Sequence, residues 1–244
     1  MKKILLIQSR LSPHSIAAER AAYERSAGDA QLVCLSSLDE SVGWDDPAAL
    51  LAGTHGVIIG GSADVDLHGG REEDDESRRV AREILVRLTP LITRALAVKT
   101  PILGICFGHQ LIAETYGGAI VSDAAQRKAG SHRVRLTEHA TEDPIFADFP
   151  HEFTAQYGHA DSVTMLPDGA TVLASSPTCR FSVLRYGTHA YTTQFHPELT
   201  RDDMLHRLAK GSRYLPEGVE AESIIKESPE ASQVIRKFIE KIVA

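Results

Sequence analysis

Short, uninterrupted apolar runs restrict the fold of this chain more than any other feature. Ile4–Ile7, Gly56–Ile59 and Pro101–Ile105 show no polar alternation. Such runs mark strands buried on both faces. Helical signals separate them. Ser12-Pro13 reads as an N-cap followed by proline at the first helical position, and Gly28 closes that helix. Leu32–Leu35 is a further strand. The charged stretch Arg71–Arg79 leads into a long helix reaching about Val98. Phe107–Tyr116 is a helix stopped by Gly117-Gly118. This alternation predicts an α/β fold, a mostly parallel central sheet with helices on both faces.

The second half changes character. Arg133–Leu136, Thr171–Ala174, Phe181–Tyr186 and Ala190–Phe195 are short, closely spaced and partly alternating. They are expected to be antiparallel strands added to the same sheet system. Pro229–Val243 is expected to be a helix docked on the core, because Val234, Ile235, Phe238, Ile239 and Ile242 share one face. No repeat, low-complexity segment or linker interrupts the chain. Residues 1–244 are therefore expected to form one domain, with a motif-bearing core over about 1–200 and a helical extension over 201–244.

Composition removes several function classes. The net charge is −7 and the basic residues are scattered, so no broad face for nucleic acid is expected. Cys34, Cys106 and Cys179 are odd in number and widely spaced, unlike a disulfide framework or a metal motif. A reducing, cytoplasmic setting is the default for such a chain. The apolar run Ile4–Ile7 is too short for a signal peptide, and no run approaches membrane-spanning length. The histidines lack metal-ligand spacing, and neither a metal nor another cofactor is expected.

The chemistry concentrates in Pro101-Ile-Leu-Gly-Ile-Cys-Phe-Gly-His-Gln110. A buried strand runs straight into a helix with Cys106 at the junction, flanked by Gly104 and Gly108. This is the arrangement of a nucleophile elbow with cysteine in place of serine. It exposes the sulfur at a helix N-terminus, where free N–H groups favour thiolate. Most cysteines are simply buried, which suffices for Cys34 and Cys179. His109, beside the elbow, is expected to be structural.

A thiolate nucleophile needs a base that also protonates the leaving amine. His196, after the strand Ala190–Phe195, is the best of eleven histidines. In an extended segment Glu198 would point the same way and orient it. Spacing alone does not pair His196 with Cys106. The Phe107 N–H is an expected oxyanion donor. Gly60-Gly61-Ser62 could supply a second donor or be a plain strand-to-loop turn.

Together, Gly104–Gln110 (G-I-C-F-G-H-Q), Gln194–Glu198 (Q-F-H-P-E) and Gly60–Ser62 resemble the class I, or triad, glutamine amidotransferases. The order matches too. The likeness covers roughly residues 1–200 and is strongest to the amidotransferase domain of GMP synthase and its free-standing relatives. It implies a flavodoxin-like fold and a Cys106–His196–Glu198 triad that hydrolyses the side-chain amide of L-glutamine through a γ-glutamyl thioester. It implies an oxyanion hole from the Gly61 and Phe107 N–H groups, and substrate contacts from Gly60 and Gln110. Gly158-His159-Ala160-Asp161-Ser162-Val163 resembles the family's S-H-x-D-x-V segment, which implies that Gly158, His159 and Asp161 line the glutamine pocket.

The departures bear on substrate. Gly158 replaces the usual serine. Ser62-Ala63-Asp64 follows the glycines where a proline is common. The stretch 62–100 is long, and its acidic run Glu72–Glu76 sits where it could rim the site. Lys128-Ala129-Gly130 replaces an acidic-residue-then-glycine pattern. No Walker-type loop or ATP-pyrophosphatase segment is present, so this chain alone is not expected to make GMP. The leading expectation is a glutaminase whose ammonia goes to a synthase partner. A free-standing γ-glutamyl hydrolase or peptidase is the alternative, and a catalytically quiet binding or regulatory subunit is the alternative of another class.

Overall fold

A computed structural model describes residues 1–209 and 218–244. The positions 210–217, inside the expected extension, lie outside the described residues. Among the described residues, eleven strands and seven α-helices follow one another, with short 3-10 turns at Glu138–Ala140 and Ala231–Gln233. The strands of the first half are β1 (Lys3–Gln8), β2 (Gln31–Ser36), β3 (Gly56–Ile59), β4 (Ile102–Ile105) and β5 (Ala119–Ser122). The helices among them are α1 (Pro13–Ala27), α2 (Pro47–Leu51), α3 (Glu76–Ala97) and α4 (Phe107–Thr115). The second half contributes β6 (Lys128–Leu136), β7 (Glu152–His159), β8 (Asp161–Met165), β9 (Ala170–Ser176), β10 (Cys179–Tyr186) and β11 (Ala190–Thr193). The remaining helices are α5 (Arg201–Ala209), α6 (Ala221–Ile224) and α7 (Val234–Lys241).

Nine strands form one sheet in the order β2-β1-β3-β4-β11-β10-β9-β6-β7. From β2 to β11 every pairing is parallel, and from β11 to β7 every pairing is antiparallel. The mixed α/β architecture matches the expectation, with one refinement. β11 lies beside β4 and runs parallel to it, so it is the seam between the halves rather than one more antiparallel addition. β5 and β8 pair apart from the main sheet.

Side-chain alternation splits the core into two layers. Ile4, Leu6, Ile58, Leu103 and Ile105 pack with Tyr23 of α1 and with Val234, Ile235 and Phe238 of α7. Leu5, Ile7, Val57, Ile59 and Ile102 pack with Ile84, Leu88 and Leu91 of α3 and with Leu111 of α4. β1, β3 and β4 carry their unbroken apolar runs because each face of these strands meets helices. The ends of α1 follow the sequence signals, with the Ser12 hydroxyl accepting from the Ser15 N–H and Gly28 at positive φ. The C-terminal apolar stripe is docked as expected, though the α-helix begins only at Val234 after a 3-10 turn. Lys2 Nζ ties it down by donating to the Ile239 and Val243 carbonyls.

Among the described residues no helix is long and apolar enough to cross a membrane.

Candidate active site

The C-terminal ends of the central parallel strands converge, where open α/β sheets bind ligands. Gly60-Gly61 follows β3, Cys106 follows β4 and His196 lies just beyond β11. These strands are direct neighbours, so residues remote in sequence meet in space.

Cys106 is the N-cap of α4 and has φ 52° and ψ −98°. A positive φ at a non-glycine residue is strained, of order 1–3 kcal/mol. The surroundings hold it there. Its N–H donates to Thr193 O at 2.7 Å and its carbonyl accepts the Gln110 N–H at 3.1 Å. The flanking glycines are steric necessities. A Cβ at Gly104 would stand 2.6 Å from Gly108 O, and one at Gly108 would stand 2.2 Å from Ile59 O. The Gly108 N–H donates to Gly60 O at 3.2 Å, which locks the start of α4 to the end of β3.

His196 adjoins the Cys106 side chain, which acts on it electrostatically, and shares a 2.8 Å bond between Nδ1 and Glu198 Oε1. All three side chains are buried. The chain after Thr193 is not extended. Glu198 lies in a turn with Pro197, so the carboxylate meets the imidazole through that turn and not by strand alternation. β7 comes round to this end as well, with Gln156 O accepting the His196 N–H at 2.8 Å. The Cys106 thiol points toward Gly158 O at 3.9 Å.

Burial alone would depress His196, but the adjacent Glu198 carboxylate and Cys106 sulfur outweigh it and push the imidazole up to about 9. Burial works against the Glu198 charge too, yet His196 and then Arg207 hold its carboxyl below the usual range.

Gly61 touches both reacting groups. A Cβ there would stand 2.8 Å from His196 Cε1 and 3.3 Å from Cys106 Cβ. Phe107 is the first residue of α4, where helix N–H groups lack an intrahelical partner. Cys106, Phe107, Gln110, Gly158, His159 and Asp161 line one cleft together with Ser62, Val65 and Asp66. Gly60 does not line it and instead abuts Tyr23 and Glu19. Gln110 Nε2 donates to Asp161 O at 2.8 Å. His159 is buried, bonds Asp161 O through Nδ1 at 3.0 Å, and is pushed down to about 3 by burial. It is therefore neutral. A Cβ on Gly158 would make only ordinary contact with Met204 at 3.7 Å, so loss of serine there leaves room and no clash. His109 points away into the core, bonded to Thr192 Oγ1 at 2.7 Å.

The Asp161 carboxylate faces the segment between β3 and α3. It accepts the His68 N–H at 2.8 Å and the Gly69 N–H at 2.6 Å. That segment also supplies Ser62, Val65 and Asp66 to the lining of the cleft. Sequence reasoning missed Ser62, Val65 and Asp66 as lining residues, and Arg207 and Arg10 beside Glu198. One signal was available. Gln8-Ser9-Arg10 is a polar break at the C-terminal end of a parallel strand, the edge where sites form. Among the described residues no group of three His, Cys, Asp or Glu side chains could hold a metal ion.

The sequence profile of the class-I glutamine amidotransferases matches residues 76–211, which include the elbow and the His196–Glu198 turn. The chain belongs to that family and is a GMP synthase-like glutamine amidotransferase enzyme. It is 33% identical over 146 residues to the glutamine-hydrolysing GMP synthase subunit of Methanocaldococcus jannaschii, covering 57% of this chain and 76% of that protein. It is 35% identical over 153 residues to the subunit of the same name from Methanococcus vannielii, covering 59% and 79%. A glutamine amidotransferase structure from Thermotoga maritima superposes with a TM-score of 0.69 at 19% identity, covering 99% of this chain and 98% of that one. That likeness speaks for the fold alone.

Proposed function

We propose that this protein hydrolyses the side-chain amide of L-glutamine to glutamate and ammonia, using Cys106, His196 and Glu198 as its catalytic triad. The observation that carries the reading is the strained Cys106 at a helix start, adjoining a His196 that Glu198 orients. Thiolate attack on the amide carbon forms a tetrahedral adduct whose oxyanion is held by the Phe107 and Gly61 N–H groups. His196, protonated at neutral pH, gives its proton to the leaving nitrogen, which departs as ammonia. Water then attacks the γ-glutamyl thioester, His196 takes its proton, and glutamate leaves with the thiol restored. Gln110, Gly158 and His159 line the site around the substrate, while Asp161 supports it through its grip on residues 68–69.

The same reading treats residues 1–244 as one amidotransferase domain working in the cytoplasm, where its thiols stay reduced. The named relatives are subunits of GMP synthase, so the ammonia acceptor is proposed to sit on a synthase partner. The test is ammonia release from glutamine, beside a panel of γ-glutamyl peptides. Glutamine should be preferred, and Cys106→Ala and His196→Ala should each lower kcat by at least roughly a thousandfold. Activity retained in Cys106→Ala, or a clear preference for a peptide, would refute the reading.

A further inference from the structure

Glu198 adjoins a second set of charges, Glu19 and Arg10 buried and Arg207 part-exposed, that the triad chemistry does not use. Arg207 of α5 places Nη2 3.9 Å from Glu198 Oε1. Arg10, at the end of β1, donates from Nε to Glu19 Oε1 at 2.9 Å, and Nη2 lies 2.8 Å from the same oxygen. Gln8 Nε2 donates to Glu19 Oε2 at 3.0 Å. Tyr23 of α1 lies among these groups and feels Glu198, Glu19, Arg10 and Arg207. Glu19 thus pairs with Arg10, which leaves Arg207 as the second cation at Glu198 after the His196 imidazolium. Glu198 Oε1 already bonds His196, and Oε2 is buried with no hydrogen-bond partner among the described residues. A buried carboxylate short of hydrogen bonds depends on nearby positive charge to stay ionised.

The position of Arg207 is built in. Helix α5 buries Met204 and Leu208 against Ala22 of α1 and Leu199, and Asp203 pairs with Arg25. We propose that Arg207 is a positioning residue whose guanidinium fixes the charge and orientation of Glu198 and, through it, the imidazole of His196. This rests on the triad reading above. Without Arg207, Glu198 keeps only the His196 imidazolium as a close cation, the positive charge around the triad falls, and formation of a thiolate at Cys106 becomes harder. The other titratable groups facing the triad are Arg10, Glu19 and Tyr23 around Glu198, His159 near His196 and Cys179 near Cys106; Arg10, the one further cation among them, is already paired with Glu19.

The test uses the full-length protein and two readouts across pH. One is ammonia release from glutamine. The other is the rate of Cys106 alkylation by iodoacetamide, followed on its own peptide so that Cys34 and Cys179 do not contribute. Arg207→Gln should move the acidic limb of both profiles up by about half a pH unit or more. It should also lower kcat by roughly tenfold with little change in KM. Arg207→Lys, which keeps the charge, should restore the limb. Introduced into Glu198→Gln, the Arg207→Gln change should have no further effect on the limb. A limb that stays in place in Arg207→Gln, or a shift of equal size in the Glu198→Gln background, overturns the proposal. Wild-type protein that releases no ammonia defeats the glutaminase reading instead, and the alkylation profile still decides the role of Arg207.

Discussion

The backbone at Cys106 shows how much a single residue can be made to cost. Its φ of 52° is held by Thr193 O above, Gln110 N–H below and a wall of glycines on either side. Cys106→Gly is expected to raise stability over Cys106→Ala by about 1 kcal/mol while abolishing turnover, as read by denaturant melts and ammonia release. Gly108→Ala is expected to cost about 3 kcal/mol, because the added carbon meets a backbone oxygen that cannot step aside. The triad ion pair carries its own pH signature. His196 is held above its ordinary value of 6.5, at about 9. Its contribution to stability is complete below 6.5 and fades as pH rises through 9. Glu198 is depressed, so its contribution is present above 4.5 and fades only as pH falls through the lower folded value. The Tm gap between wild type and His196→Gln should be widest between about pH 5 and 6.5 and should narrow toward pH 9. A gap that widens with pH would contradict this assignment. The elbow was legible because its sterics are local, a matter of glycines two residues either side of the cysteine. The bond between His196 and Glu198 was anticipated for the wrong reason, since it arises from the turn at Pro197 and not from an extended strand.

At the level of elements, one carboxylate ties the segment between β3 and α3 to the start of β8. The Asp161 carboxylate takes two backbone N–H groups at His68 and Gly69. Charge-assisted bonds of this kind are stronger than neutral ones. Asp161→Ala is expected to cost about 2 kcal/mol and to speed tryptic cleavage at Arg71, followed by mass spectrometry. Unchanged cleavage would mean that other contacts hold the segment. The strands of the first half were legible because burial on both faces writes an unbroken apolar run. β7 and β8 were not anticipated. Glu152–His159 carries the buried polar side chains Gln156 and His159 among its apolar ones, and Asp161–Met165 pairs outside the main sheet with β5, so neither leaves a clean periodic trace. The parallel seating of β11 was hidden for another reason. Strand direction is set by partners distant in sequence, and nothing within Ala190–Thr193 states whether it meets β4 or only β10.

Over the whole molecule, two apolar layers clamp one sheet, and α7 supplies a large part of the layer it shares with α1. Phe238 is fully buried there, against Tyr191. Phe238→Ala is expected to lower stability by about 3–4 kcal/mol while leaving kcat near wild type at temperatures where the variant is folded. A loss of kcat without loss of stability would instead tie α7 to the site. The α/β class followed from the alternation of signals, but the order of strands in the sheet did not, because crossovers leave no local mark. That order has a kinetic consequence. Gly61, Cys106 and His196 sit on strands that become neighbours only when long stretches of chain have been closed into loops, an entropic cost met late. A nascent or half-folded chain therefore carries an ordinary thiol and an ordinary imidazole, and the reactive pair comes into being with the last pairing, β4 against β11. Recovery of activity on refolding should trail the return of helical signal, which makes turnover a report on completed assembly of the sheet.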